Sequence, residues 1–125
     1  MKRVIIDTSS ILFGFTYNRN VFERAKEQFS GYKLTVSRGI IKELTKFSNT
    51  NGAKGIRARV ALLELKAKKI NVDNISVYPD KYILDSASRD RNCIVITNDT
   101  ILAKKLSLIN VKVYKISKSG ILKLF

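Results

Sequence analysis

The sequence predicts an α/β fold, a three-layer α/β/α arrangement in which a mostly parallel central sheet is covered by helices on both faces. Three observations predict it. Short β-branched runs alternate with longer segments of helical periodicity along the whole chain. Repeated β-α alternation places strands side by side in parallel and sends the connecting helices across the faces of the sheet. The apolar share of 45% and the charged share of 27% are those of an ordinary folded globule, so disorder is not expected. With 125 residues the chain is expected to form one domain, 1–125, with a true hydrophobic core.

Taken in order, Lys2 to Ile6 is a β-branched run consistent with a buried central strand. Thr8, Ser9 and Ser10 supply capping oxygens for a helix starting near Ile11, and a second helix is expected from about Asn20 to Phe29. Tyr32 to Val36 reads as the next strand. Ser37 suits the N-cap of a helix carrying Ile40, Ile41 and Leu44 on one face. Ser48 to Gly52 is the clearest loop. After it, Ile56, Val60, Leu63, Ala67 and Ile70 recur at helical spacing with Lys and Arg between them, which predicts that they form the buried face. Ile75 to Tyr78 reads as a short strand, and Pro79 opens a helix in its favoured first-turn position. Cys93 to Thr97 is a strand, Thr100 to Leu108 a helix and Val111 to Ile116 a strand. Ser119 to Phe125 either adds an edge strand or packs on the rest.

Charge and two scarce residue types narrow the chemistry. Lys and Arg number 24 against 10 Asp and Glu, for a net charge of +14, which favours polyanions through counterion release. RNA or DNA is the first expectation, and an anionic membrane surface is the competitor. No apolar run approaches 18 residues and Asp7 cuts short the only apolar run near the start, so a soluble, cytoplasmic protein is expected. The single Cys93 reads as a buried strand residue rather than a reactive thiol. One cysteine and no histidine exclude an intrachain disulfide, the usual structural zinc sites and any Ser-His or Cys-His couple. Oxygen ligands remain, and these select hard cations, Mg²⁺ or Mn²⁺. A nucleotide-binding regulator is disfavoured because neither GxGxxG nor GxxxxGK[ST] occurs.

Against this basic background four carboxylates stand where strands run into helices: Asp7 after Val4-Ile5-Ile6, Glu43 in the helix after Val36, Asp80 after Pro79, and Asp99 after Ile94 to Asn98. Setting these four aside leaves six acids against 24 bases, so the rest of the molecule carries +18. In open α/β sheets ligands gather beyond the carboxyl ends of the strands, where three of these acids fall. Asp80 precedes Ile83, Leu84 and Ala87 at offsets of three, four and seven, and so is expected to open the apolar stripe of its helix. Asp99 stands in the same relation to Leu102, Ala103 and Leu106. A plainer reading exists for each. An acid in a helix's first turn serves as cap or dipole partner, and Glu43 alone reads as a surface residue. As a set, inward-leaning carboxylates repel one another unless a cation neutralises them. A divalent ion does so and also activates water for in-line displacement at phosphate, the chemistry of a metal-dependent nuclease. Thr8, Ser9, Thr97 and Asn98 are candidates for orienting the acids.

The motifs resemble those of PIN-domain nucleases. Val4-Ile5-Ile6-Asp7-Thr8-Ser9 is similar to the opening strand motif, and Val36 to Leu44 to the second block, with Glu43 as its acid. Asp80 to Ala87 and Ile94 to Asp99 resemble the third and fourth. All four occur in family order across nearly the whole chain. The resemblance implies a sheet sandwiched by helices, an acidic pocket holding Mg²⁺ or Mn²⁺ through Asp7, Asp80 and Asp99, with Glu43 as a fourth catalytic acid, and endonuclease activity on single-stranded RNA. Two departures stand out. Asp85 is a second acid near the third block, about 140° round the helix from Asp80. Position 9 is Ser where Asn is common, which is expected to loosen the hold on Asp7 or the metal.

Within the family the short loop after Glu43, the long basic helix and the ending Val111 to Ile116 resemble the branch that processes ribosomal RNA, so rRNA or pre-rRNA is the expected partner. VapC-type toxins share the four acids and are the alternative, bringing a homodimer and an antitoxin with them. A non-catalytic RNA-binding domain associated with ribosome assembly is the third reading. For RNA binding, Arg38, Lys54, Arg57 and Arg59 are the first candidates and Lys104 and Lys105 the next, with Tyr17, Tyr32 and Phe13 as aromatics for base stacking.

Overall fold

A computed structural model describes residues 2–125. Six strands form one sheet: β1 (Arg3–Ile6), β2 (Lys33–Ser37), β3 (Asn71–Asp73), β4 (Ile94–Ile96), β5 (Lys112–Ile116) and β6 (Leu122–Leu124). Six helices join them: α1 (Thr8–Thr16), α2 (Val21–Gln28), α3 (Arg38–Ser48), α4 (Ala53–Ala67), α5 (Pro79–Arg89) and α6 (Thr100–Leu108). The strand order is β3-β2-β1-β4-β5-β6, parallel throughout except for β6, which runs antiparallel along the edge of β5.

Side-chain alternation on the central strands separates the two faces. Val4 and Ile6 of β1, with Ile94 and Ile96 of β4, join the larger core beneath α1 to α4. Ile5 and Val95 point the other way, into a core shared with Tyr82, Ile83 and Ala87 of α5 and Leu102, Ala103 and Leu106 of α6. Both faces of β1 and β4 are thus buried, which is why their sequences are continuously apolar.

Three elements differ from the sequence expectation. The third strand is Asn71–Asp73, paired with β2 through Val36 and Val72, and Ile75 to Tyr78 form no strand. The earlier segment fills the available edge of β2, and β-branched composition alone does not earn a pairing partner. Residues 74–78 form a connection that leaves Ile75, Val77 and Tyr78 exposed. Within α4 the expected face is turned out: Ile56 and Leu63 are 55% and 68% exposed and Val60 is exposed too, and only Ile70, beyond the helix, is buried as expected. Gly55, Ala58, Ala61 and Leu65 are buried instead: α4 lies against α3 and α1, with the small Gly55, Ala58 and Ala61 on the contact and Leu65 entering the core at its end. Finally, α1 begins at Thr8 rather than near Ile11, so the three hydroxyl residues form its first turn.

Candidate functional site

The strand order reverses between β1 and β4. From β1 the chain moves outward through β2 and β3, then returns to the other side of β1 as β4. Helices leaving two adjacent strands in opposite directions open a crevice at the strands' carboxyl ends. Asp7 follows β1 directly and Asp99 lies three residues beyond β4, so the reversal brings both acids to that crevice. A cleft of about 470 Å³ is found there, and Asp7, Glu43, Asp80 and Asp99 all line it.

Asp7 is the most constrained of the four. It is only 4% exposed, yet its side chain does not cap α1. Its backbone N–H donates to Ile96 O (2.9 Å), which pins the end of β1 to β4. Its Oδ2 accepts hydrogen bonds from Ser9 Oγ (2.7 Å) and Thr97 Oγ1 (2.8 Å). Burial pushes the Asp7 carboxyl above the usual carboxylate range. The two hydroxyls act against that shift, and the nearby Asp80 and Glu43 charges add to it. Serine at position 9 therefore holds Asp7 firmly, contrary to the looser grip expected of it.

The hydroxyls are themselves fixed. Ser9 Oγ accepts from Asn98 N–H (3.0 Å), and Thr97 Oγ1 accepts from Asp99 N–H (3.1 Å). The Asn98 side chain faces away from the acids. Its Oδ1 accepts from Ser10 Oγ (2.8 Å) and Ile116 N–H (3.1 Å), and its Nδ2 donates to Ile116 O (3.0 Å), tying α1 to β5. Thr8 also lines the cleft, but its buried Oγ1 has no hydrogen-bond partner, so it does not orient an acid. Ser10, expected from the sequence only as a source of capping oxygen, is fully buried and instead holds the Asn98 side chain.

The remaining acids sit nearer solvent. Asp99 caps α6, its Oδ1 accepting from Ile101 N–H (2.9 Å) and Leu102 N–H (3.1 Å), so cap and cleft residue are one and the same. Asp80 is exposed at the mouth rather than opening the apolar stripe of α5, whose buried face is Tyr82, Ile83, Ser86 and Ala87. Tyr82 anchors that helix by donating its hydroxyl to Asp73, which also pairs with Arg3 (2.9 Å). Burial, reinforced by the Asp73 hydrogen bond, raises the Tyr82 pKa to about 12, so the donor persists across the working pH range. Glu43 is half-buried on the inner side of α3. Asp85 is outside the cleft and pairs with Lys81 (3.4 Å) on the surface of α5.

Among the described residues no group of three or more His, Cys, Asp or Glu side chains is drawn together closely enough to grip a metal ion. The four acids line one cleft without making a closed cage. A larger hollow of about 930 Å³ lies at the opposite, amino ends of β2 and β3, lined by Lys26, Lys33, Lys68 and Lys69 but by no carboxylate. It lacks carboxylates to hold a hard cation.

The expected RNA-binding residues scatter. Lys54 stands over the Phe47 ring (3.9 Å to the centroid) at the edge of the cleft. Arg59 donates Nη1 to Ser48 O (2.6 Å), clamping the end of α3. Arg57 faces a separate hollow with Ile56 and Val60. Arg38, Lys104 and Lys105 are exposed and do not line the cleft. Of the aromatics, Tyr32 packs edge-on against Phe29, and Phe13 packs against Tyr17. Phe47 and Tyr78 are the rings that line the cleft. Their signal was present in the sequence: Phe47 is one helical turn beyond Glu43, and Tyr78 immediately precedes Pro79-Asp80.

This fold, with its acids gathered at the reversal of strand order, belongs to the PIN-like domain family, whose model matches residues 4–118. The chain is 26% identical over 129 residues to Ribonuclease VapC4 of Methanocaldococcus jannaschii, covering 100% of this chain and 98% of that protein. The PIN domain endonuclease Utp24 shares the fold, with a TM-score of 0.78 at 23% identity over 98% of this chain and 90% of that one.

Proposed function

We propose that this chain is a metal-dependent endoribonuclease that hydrolyses single-stranded RNA, acting in the cytoplasm on rRNA or pre-rRNA, with residues 1–125 as one catalytic domain. The observation that carries the reading is the convergence of Asp7, Glu43, Asp80 and Asp99, from four separate elements, on one cleft of a chain with net charge +14. The names of Ribonuclease VapC4 and of the Utp24 endonuclease agree with it.

The donor set fits Mg²⁺ or Mn²⁺. All ligands on offer are oxygens, burial and the nearby Asp80 and Glu43 oppose a charge on Asp7, and Thr8 Oγ1 is an unpartnered polar atom at the site. An open site suits Mg²⁺, which keeps several waters and binds through one or two carboxylates rather than a protein cage. Asp7 and Asp99 would hold the ion, with Asp80 reaching it from the mouth. When bound, the ion supplies activation of water and neutralisation of the charge that develops on phosphate.

The protein's own residues do the rest. Ser9 and Thr97 fix Asp7 Oδ2, and Oδ1 accepts no hydrogen bond among the described residues, which leaves it for an ion at the cleft that Asp7 lines. Backbone N–H groups of α6 hold Asp99 Oδ1 and free its second oxygen. Glu43 is our assignment for the group that takes the proton of the attacking water as the water oxygen bonds to phosphorus. The P–O bond to the leaving ribose oxygen breaks, and that oxygen takes a proton from solvent at the open mouth.

The full-length match to Ribonuclease VapC4 favours, as a second reading, the toxin branch with its antitoxin and homodimer. The test is cleavage of a fluorescent single-stranded RNA by the wild type and Asp7→Asn in Mn²⁺, Mg²⁺ or EDTA. Metal-requiring cleavage that disappears in the variant upholds the enzyme. Growth arrest on expression, relieved by Asp7→Asn, then selects the toxin over the processing enzyme. Tight RNA binding without cleavage of any strand, including pre-ribosomal RNA, replaces both with a binding domain.

A further inference from the structure

A second groove, of about 550 Å³, adjoins the acid cleft and shares Glu43, Phe47, Tyr78 and Pro79 with it. It runs between α3 and the connection at residues 76–79, and its character differs from that of the cleft. Lys42, Lys46 and Lys81 border it, Glu43 is its one carboxylate, and Phe47, Val77, Tyr78 and Pro79 give it an apolar floor and wall. Lys54 stands over the Phe47 ring from the side of α4. Lys81 shares its charge with Asp85, whereas Lys42 and Lys46 form no ion pair among the described residues.

The groove is held in shape by the backbone. Gly39, in the first turn of α3, donates its N–H to Ile75 O (3.1 Å). A Cβ at that position would fall 2.2 Å from Val77 O, so only glycine lets the connection lie this close to the helix. The close approach sets Tyr78 at the boundary of cleft and groove with 85% of its surface exposed, although it is a large aromatic. Phe47 and Lys46 follow Glu43 and Lys42 by one turn of α3, so that acid, aromatic and lysines lie along one side of the helix.

We propose that this groove is a nucleotide subsite, in which one base flanking the scissile phosphate stacks on Tyr78 and Phe47 while Lys42 and Lys46 take the next phosphate. The subsite rests on the nuclease reading for its placement beside the scissile bond. Phosphates are repelled by the acid cleft except where a cation intervenes, and the lysine-edged groove alongside offers the neighbouring phosphate its compensation. An exposed ring stacks any base and therefore selects by strand form rather than by sequence. A base within a duplex is already paired and stacked, so the ring is satisfied only by a single strand. The arrangement supplies a physical basis for single-strand selectivity in this chain.

The test uses the Asp7→Asn protein, which keeps the strand intact, and a fluorescently labelled single-stranded RNA read by anisotropy. Tyr78→Ala is expected to weaken binding about tenfold. A single abasic ribose walked along the strand is expected to weaken binding equally at one position, and Tyr78→Ala is expected to add nothing more on that strand. Lys42→Ala with Lys46→Ala is expected to lower the salt slope by about 0.7, the share of one phosphate on a single strand. Unchanged affinity in Tyr78→Ala, or a loss equal on every abasic strand, overturns the subsite, and so does an acidic peptide that fills the groove without displacing RNA. Cleavage by the protein with Asp7 intact is scored separately. A strand that shows the coupling but is never cut keeps the subsite and removes the nuclease; a strand that is cut without coupling does the reverse.

Discussion

Thr97 Oγ1 donates to Asp7 Oδ2 at 2.8 Å, joining the residue after β4 to the residue after β1 where the strand order reverses. Thr97 is fully buried, so no water replaces that bond if it is lost. Thr97→Val is expected to destabilise the protein by about 2 kcal/mol at neutral pH, the cost of leaving a buried acceptor short of a donor. It is also expected to move the acid limb of the pH–rate profile to higher pH, with Thr97→Ser restoring both. Denaturant unfolding and the profile check it. An unmoved acid limb would show that Asp7 is not the group that limits activity at low pH.

On the proposed function, Asp7 sets the demands of a charged site against those of stability. Its carboxyl is raised above the ordinary value by burial first, so the fold favours the protonated form. The sign follows: the native state binds more protons than the unfolded one, and stability falls as pH rises from the ordinary value, about 3.9, through the raised folded value. Asp7→Asn mimics the neutral form. Without added metal it is expected to be more stable than the wild type by about 1 kcal/mol at pH 7, with the difference vanishing near pH 4. Thermal melts at the two pH values decide it, and a destabilised variant at pH 7 would contradict the argument.

Mn²⁺ or Mg²⁺ should reverse that opposition. An ion that binds only the native state is expected to stabilise the wild type by about 2.7 kcal/mol at a hundred times its dissociation constant. Because it displaces the proton favoured by burial, its affinity should increase with pH across the Asp7 titration. Asp7→Asn should show little of either effect. Melting curves with each ion and with EDTA test this, and equal stabilisation of both proteins would place the ion elsewhere.

The two acids of α5 should separate cleanly. Asp80 lines the cleft, whereas Asp85 pairs with Lys81 on the exposed surface. Asp80→Ala is expected to lower cleavage by at least a hundredfold, an effect on the order of 2.7 kcal/mol in the barrier. Asp85→Ala should stay within twofold in activity and within about 0.5 kcal/mol in stability. Parallel kinetics on one RNA strand make the comparison.

Gly39→Ala tests the positioning of the connection. The added Cβ would meet Val77 O at 2.2 Å, so the segment leading to Tyr78 must move. Alanine's better helix propensity offsets part of the strain, leaving an expected net loss of about 1–3 kcal/mol. RNA affinity should fall with it. A variant as stable as the parent, with unchanged affinity, would show that the connection can shift freely.

The sequence by itself determined the layered α/β fold, the alternation of strands and helices along the chain, and which four acids come to line one cleft. It did so because buried strands and first-turn residues leave local signatures: the apolar run before Asp7, the run before Thr97, and Pro79 opening α5. The tertiary structure decided what those acids face. Whether Asp7 caps a helix or accepts from Thr97, 90 residues away, depends on β1 and β4 becoming neighbours. The third strand shows the same limit: Ile75 to Tyr78 has strand composition, yet Asn71–Asp73 occupies the edge of β2. In α4 the periodic bulky residues point outward, and the contact with α3 and α1 carries the small Gly55, Ala58 and Ala61, with Leu65 at its end. The basic residues follow suit, since any lysine on a helix reads alike until packing sets Lys42 and Lys46 along the groove that adjoins the acid cleft and takes Arg57 to another hollow. Local periodicity reports that a face exists, but which neighbour it meets is set by long-range pairing, and with it the place where chemistry can occur.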